Sequence, residues 1–262
     1  MASSIIRSLG RNALSPHFTS PMVQKRLTST VIQKPVIVDL SRELYHRCQN
    51  HPFHVPFIQT QWDTHQPKVA GNTTFRSASY ALTMSDRSGT HVDAPKHFGP
   101  GGASIDELPL EDFYTSAIAL DLSHVELRAA ISVREMEEAL EKAGEEIREG
   151  DTVLIYMAFN KRVGFDEPRW QHDFPGLHPD SVRWLADRGC KMFGVEAISP
   201  SPEGEMNFQA HNICGERGIT HIEGLDHLEK VVGKGRFTFV GFPWKLRGGS
   251  GSPIRAVALF DP

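Results

Sequence analysis

At 262 residues, with 39% hydrophobic and 23% charged residues, the chain has the composition of a globular protein able to bury a substantial core. A formal net charge of −4 offers no general field for nucleic acid, and no apolar run approaches the roughly 20 residues needed to span a bilayer, so neither nucleic acid nor membrane is expected as a partner. Cys48, Cys190 and Cys214 are odd in number and lack a CxxC pair, which supports neither a disulfide framework nor a thiolate zinc site and suits a reducing compartment.

The first 38 residues contain no Asp or Glu, yet carry Arg7, Arg11, Lys25, Arg26 and Lys34 among many Ser and Thr. A helix through Ile5, Leu9 and Ala13 would be amphipathic, with Arg7 and Arg11 roughly opposite the apolar stripe. This is the composition of a transit peptide over residues 1–35, and the expected destination is the mitochondrial matrix; a basic tail without an address is the competing reading.

The folded part is expected to begin with a strand at Val36-Ile37-Val38-Asp39-Leu40. From Cys48 to Gly71, Pro52, Pro56 and Pro67 alternate with Phe53, Phe57 and Trp62, which reads as an irregular segment folded over a cavity. Trp62 is thereby a candidate substrate contact, with packing of the same aromatics as the alternative. Thr74 to Met84 reads as a strand, and Phe98 to Gly102 turns the chain on glycines and a proline.

Ala117 to Leu122 is a buried-type strand. Ser132 to Ala143 is a helix opened by the capping box Ser132-x-x-Glu135 and closed before Gly144. Asp151 to Phe159 returns to strand, Pro179 to Arg188 is a second helix, and Met192 to Val195 is the strand that follows it. Final strands are expected at 237–241 and 254–260, joined by Gly248-Gly249-Ser250-Gly251-Ser252-Pro253. With no internal repeat, the economical fold is one α/β domain over residues 36–262, a mixed β-sheet flanked by helices.

Chemistry concentrates in Arg87-Ser88-Gly89-Thr90-His91-Val92-Asp93-Ala94-Pro95-Lys96-His97-Phe98. His91 and Asp93 are two residues apart and project to the same side of an extended chain, while Pro95 stiffens the approach to His97. Two imidazoles and a carboxylate at this spacing suit a divalent metal such as Zn or Mn, which makes water a hydrolytic nucleophile. Far along the chain, Asn207, Gln209, His211 and Asn212 give a polar approach to a turn. His221, Glu223, Asp226 and His227, taken alone, suit an ordinary solvated surface.

The string Gly89-Thr90-His91-Val92-Asp93-Ala94-Pro95-Lys96-His97-Phe98 resembles the signature of the metal-dependent hydrolases called the cyclase family, which includes bacterial-type kynurenine formamidase and isatin hydrolase. Phe174 to Leu177, Gly194 to Pro200, the pair His211 and Glu223, and Gly249 to Val257 resemble further blocks of that family in its order, covering residues 36–260. The resemblance implies the family's swivelling β/β/α fold, a homodimer and a small-molecule substrate. It implies that His91 and Asp93 ligate one metal, that Asp93 bridges to a second held by His211 and Glu223, and that His97 is the proton shuttle. Whether one or two ions bind stays open.

One position departs from the pattern. The family has His-x-Gly-Thr-His, and Arg87 stands at the first histidine; a guanidinium has no lone pair and cannot ligate a metal. Asp86 is a weak substitute because neighbouring strand residues face opposite ways. Arg87 is instead a candidate substrate-binding residue. The expected activity is metal-dependent hydrolysis of an aryl formamide or a small cyclic amide. A lactone hydrolase, or a silent relative holding an anionic ligand on Arg87, is the alternative.

Overall fold

The protein is described by a computed structural model over residues 34–262. The basic leader lies outside the described residues except for Lys34 and Pro35. The chain enters with strand β1 (Val36–Asp39), leaves for a hairpin of β2 (Ile58–Ala70) and β3 (Thr73–Thr83), and returns in β4 (His91–Asp93) and the one-turn helix α1 (Pro95–Phe98). There follow β5 (Tyr114–Asp121), β6 (Ala130–Ile131), α2 (Val133–Ala143), β7 (Thr152–Tyr156), α3 (Phe159–Arg162), β8 (Gly176–Leu177), α4 (Pro179–Asp187) and β9 (Met192–Val195). Helix α5 (Glu205–Arg217) leads into β10 (Thr220–Glu223), and β11 (Phe237–Val240), β12 (Gly251–Pro253) and β13 (Val257–Phe260) close the chain.

Nine strands form one mixed sheet in the order β1-β13-β11-β5-β7-β9-β10-β4-β12. The segments from β5 to β10 pair in parallel and are joined by helices, whereas β4 adds antiparallel to β10 and β12 adds antiparallel to β4. Alternate residues of the central strands face opposite sides: Val153, Ile155, Phe193 and Val195 join the core beneath α2, α4 and α5, while Leu154 and Met192 join the core on the other face. Apolar side chains on both faces explain the near-continuous hydrophobic runs of β7 and β9.

Helix α2 starts as its sequence predicts. Ser132 Oγ accepts from the Glu135 N–H at 3.3 Å and Glu135 Oε2 accepts from the Ser132 N–H at 2.7 Å, while Gly144, at φ 65°, ends the helix in the left-handed region.

Three expectations need correction. The segment read as irregular from Cys48 to Gly71 is irregular only to Phe57 and then forms β2; Pro67 is accommodated beside a shift in register between Thr64 and Pro67 on a hairpin open to solvent. The polar stretch around His211 belongs to helix α5. Its apolar face is narrow, with only Ala210, Ile213 and Cys214 buried, which hid the helical period. The Gly/Ser connection after residue 248 contains β12, which covers β4.

Candidate metal centre and cavity

Strand alternation builds the site. Register pairs Ile222 with Val92 and Glu223 with His91, so Val92 and Ile222 point together into one core. Their neighbours His91, Asp93, His221 and Glu223 therefore share the opposite face of two adjacent strands. Gly89 and Gly224, both at φ 67°, allow the strand ends to approach: a Cβ on Gly224 would lie 2.8 Å from the Gly89 carbonyl oxygen. Helix α1 carries His97 back over this face, and α5 lays His211 across it.

The resulting polar contacts are dense. Nε2 of His221 lies 3.0 Å from Glu223 Oε1 and 3.4 Å from Asp93 Oδ2; Nε2 of His91 lies 3.1 Å from Glu223 Oε2 and 3.7 Å from Asp93 Oδ1. His97 Nε2 is 3.5 Å from Asp93 Oδ2, and His211 Nε2 is 4.0 Å from Glu223 Oε1. Asp93, His211, His221 and Glu223 each offer a ligand atom, all within 4.8 Å of one another.

The backbone orients two of these rings. Nδ1 of His91 donates to the Gly89 carbonyl at 2.9 Å and Nδ1 of His211 donates to the Asn207 carbonyl at 2.7 Å, which leaves the Nε2 lone pair of each neutral ring facing the carboxylates. Both carboxylate oxygens of Asp93, with Nε2 of His91, are buried and lack a hydrogen-bond partner. Buried carboxylate oxygens are ordinarily satisfied, so this set fits a cation.

The electrostatics follow from two carboxylates buried side by side. Burial and the Glu223 charge push Asp93 up to about 6, against the pull of His221 and His91. Burial raises the Glu223 carboxyl too, yet its hydrogen bond to His221 and the close approach of His91 outweigh that and hold it well below the usual range. Burial opposes charge on His91 and His221, but the facing carboxylates, and at His221 first the Cys214 sulfur 3.6 Å from its Nδ1, prevail and raise both. Without an ion, protons on these rings would balance the carboxylates; a divalent ion would take their place. His97 and His211 go the other way. Burial first, then the Arg87 charge, lowers His97 to about 3; burial, then His221, lowers His211 to about 4.

Above the centre opens a cavity of about 720 Å³, with Glu223, His211, His97 and Arg87 at its polar end and Phe53, Phe98, Phe174 and Phe208 among its walls. The 48–57 segment thus lines a cavity as its prolines and aromatics suggest, through His51, Pro52, Phe53 and His54. Trp62 does not: it stands on β2, is 80% exposed, and is absent from the cavity wall of its own chain. Asp86 is turned away, accepting from the Ser250 N–H and Oγ at 2.8 Å each.

His221 is the functional candidate that sequence reasoning missed. Together with Glu223 it had suited a solvated surface; both are buried, at 0% and 5% exposure. The available signal was the period: His221-x-Glu223 repeats the spacing of His91-x-Asp93, and each pair occupies one face of its strand. Asp226 and His227, by contrast, remain partly open to solvent beyond the end of β10.

Comparison with known proteins places these features in context. Residues 38–202 match the sequence model of the family described as "Putative cyclase". The chain is 32% identical over 182 residues to the kynurenine formamidase of Salinibacter ruber, covering 70% of this chain and 80% of that protein. It is 28% identical over 220 residues to the kynurenine formamidase of Paracidovorax citrulli, covering 84% and 94%. Among solved structures, isatin hydrolase A of Ralstonia solanacearum superposes with a TM-score of 0.74 at 24% identity, over 87% of this chain and 92% of that one. A predicted metal-dependent hydrolase from Bacillus stearothermophilus superposes with a TM-score of 0.64 at 25% identity, over 87% and 99%.

Proposed function

Because the chain belongs to the cyclase family, we propose that it is a metal-dependent hydrolase that opens the amide bond of an aryl formamide or a small cyclic amide. The observation that carries this reading is the buried donor set Asp93, His211, His221 and Glu223 at the floor of an aromatic-walled cavity. These four residues would hold one divalent ion, Zn or Mn by the mixed nitrogen and oxygen donors. Such an ion supplies Lewis acidity, lowering the pKa of water and polarising a carbonyl.

The protein's own groups account for the remainder. His91, expected as a metal ligand, lies outside the four converging donors; its Nε2, 3.1 Å from Glu223 Oε2, would steady that carboxylate from the other side, with the ring oriented by the Gly89 carbonyl. His97 is neutral at physiological pH and its Nε2 accepts from Arg87 Nη1 at 2.8 Å; once the guanidinium turns from it to substrate, that lone pair would take a proton from attacking water and return it to the leaving nitrogen. Phe98 and Phe174 offer apolar faces to an aryl group and keep bulk water from it. Purified protein supplied with Mn or Zn should hydrolyse N-formylkynurenine or isatin, and chelation should abolish turnover. Silence on both substrates under every metal condition would contradict the proposal and favour a binding role.

We also propose a homodimer in mitochondria. The hairpin exposes Val69, Phe75, Tyr80 and Leu82, and an isolated two-stranded ribbon is marginal in water, which supports its docking on a second copy. A solution mass near that of one 29.2 kDa chain would remove the dimer. The acid-free leader supports import, and a fluorescent fusion of residues 1–35 that stayed cytosolic would remove that.

A further inference from the structure

Arg87 is not one of the four metal-holding donors above, although it touches His97, and its surroundings differ from those of most of the chain's arginines. Most other guanidinium groups meet carboxylates, as Arg236 does with Asp151 at 2.7 Å and Arg169 with Glu167 at 2.8 Å, lie against rings, as Arg42 does over Phe165 at 4.0 Å, or donate to backbone carbonyls, as Arg162 does to Val125 and Met157. Arg87 lines the cavity, and among the described residues no carboxylate oxygen lies within ion-pair distance of it. Asp86, its neighbour in sequence, is committed to Ser250. Of the guanidinium donors, Nη1 donates to His97 Nε2 at 2.8 Å, while Nε is buried without a partner.

The group is also held in place. The aliphatic stem lies against β12, where a Cβ on Gly251 would come within 2.8 Å of Arg87 Cγ, so the glycine gives the stem its room. A partly buried guanidinium with no carboxylate in direct contact is unfavourable unless an anion completes it, and its planar donors match a carboxylate. His97 Nε2 lies between the two features, 2.8 Å from Arg87 Nη1 and 3.5 Å from Asp93 Oδ2. An anion on Arg87 is therefore adjacent to the bond presented to the metal centre.

We propose that Arg87 is the receptor for a carboxylate on the substrate, so that the enzyme's substrates are aryl amides bearing an acid group a few bonds from the scissile carbonyl. This rests on the hydrolase reading for the word substrate, but the anion site itself is independent of turnover. The test is calorimetric binding of anthranilate against aniline to the full-length, metal-loaded protein, as wild type, Arg87→Lys and Arg87→Met. Metal content and unfolding temperature of each variant serve as controls for an intact site.

Wild type should prefer anthranilate by at least about tenfold, Arg87→Lys should keep part of that preference, and Arg87→Met should lose about tenfold on anthranilate with aniline unchanged. Equal binding of the two ligands by wild type, or full preference surviving Arg87→Met, overturns the proposal. N-formylanthranilate and formanilide as substrates give the kinetic counterpart. A rise in KM confined to the acid in Arg87→Met supports it, whereas an equal fall in kcat on both assigns Arg87 to the reaction's developing oxyanion instead and overturns it. Hydrolysis without acid preference would refute only the Arg87 assignment; acid preference without hydrolysis would refute only the hydrolase reading.

Discussion

The β4–β10 ladder and the β2–β3 hairpin are joined by the few residues from Met84 to Thr90, yet they are opposites. Every residue of β4 and β10 is buried, whereas the hairpin has no buried residue in either strand. Both are antiparallel pairs with alternating side chains. In the ladder, alternation separates apolar side chains on one face from His91, Asp93, His221 and Glu223 on the other, and the sheet dehydrates both. In the hairpin the same alternation leaves Trp62 and Phe75 in solvent. Alternation decides which side chains travel together; the neighbours on either side decide whether they become a site.

The contrast can be broken or sharpened by substitution. The largest effect is expected at Asp93, whose carboxylate meets His91, His97 and His221: Asp93→Ala should lower kcat/KM by at least about a thousandfold, measured on metal-supplied protein, because one buried carboxylate and its charge leave the ion and the proton carrier together. Phe193, fully buried and stacked on His221 at 5.4 Å between ring centroids, should cost about 3–5 kcal/mol of unfolding free energy when changed to Ala, read from urea denaturation.

A third effect depends on pH. Glu196 accepts from the N–H groups of Met157 and Phe159, but burial pushes its carboxyl up to about 7 from an ordinary 4.5. With the folded value above the unfolded one, the stability tied to its proton is fully present below 4.5 and is lost as pH rises through about 7. Glu196→Gln should therefore gain on wild type between pH 5 and 7.5, by up to roughly 3 kcal/mol, as measured by unfolding at the two pH values. A constant difference would show that the carboxyl is not so displaced. The smallest effect belongs to the hairpin: Trp62→Ala, at a side chain 80% exposed, should change the stability of the isolated chain by no more than about 0.5 kcal/mol.

Much of this was legible in the sequence, for reasons that can be stated residue by residue. The Ser132/Glu135 box and Gly144 mark α2 because capping is local chemistry, and β7 and β9 are legible because strands buried on both faces are apolar throughout. His91 and Asp93 share a face because a period of two is a property of the strand alone. Helix α5 was not legible, since Asn207 and His211 occupy the face turned to the site and interrupt its apolar stripe. The burial of His221 was not legible either. It depends on β9 and β4 flanking β10 and on Phe98 and Phe193 stacking on the ring, at 5.6 and 5.4 Å, and no local pattern around residue 221 records those contacts. Trp62 was read as a cavity contact because an aromatic among prolines suggests a cavity wall; the fold places it on β2, beyond the His51 to His54 stretch that lines the cavity of its own chain.

The most direct measurement is the metal content of wild type and His221→Ala after incubation with excess Mn or Zn and removal of free ion. One divalent ion per chain in wild type, with affinity weakened by about a hundredfold or more in His221→Ala, is the result expected if the ladder is a metal centre held by Asp93, His211, His221 and Glu223. A wild type that retains no ion, or a His221→Ala protein that retains it as firmly, would contradict that assignment.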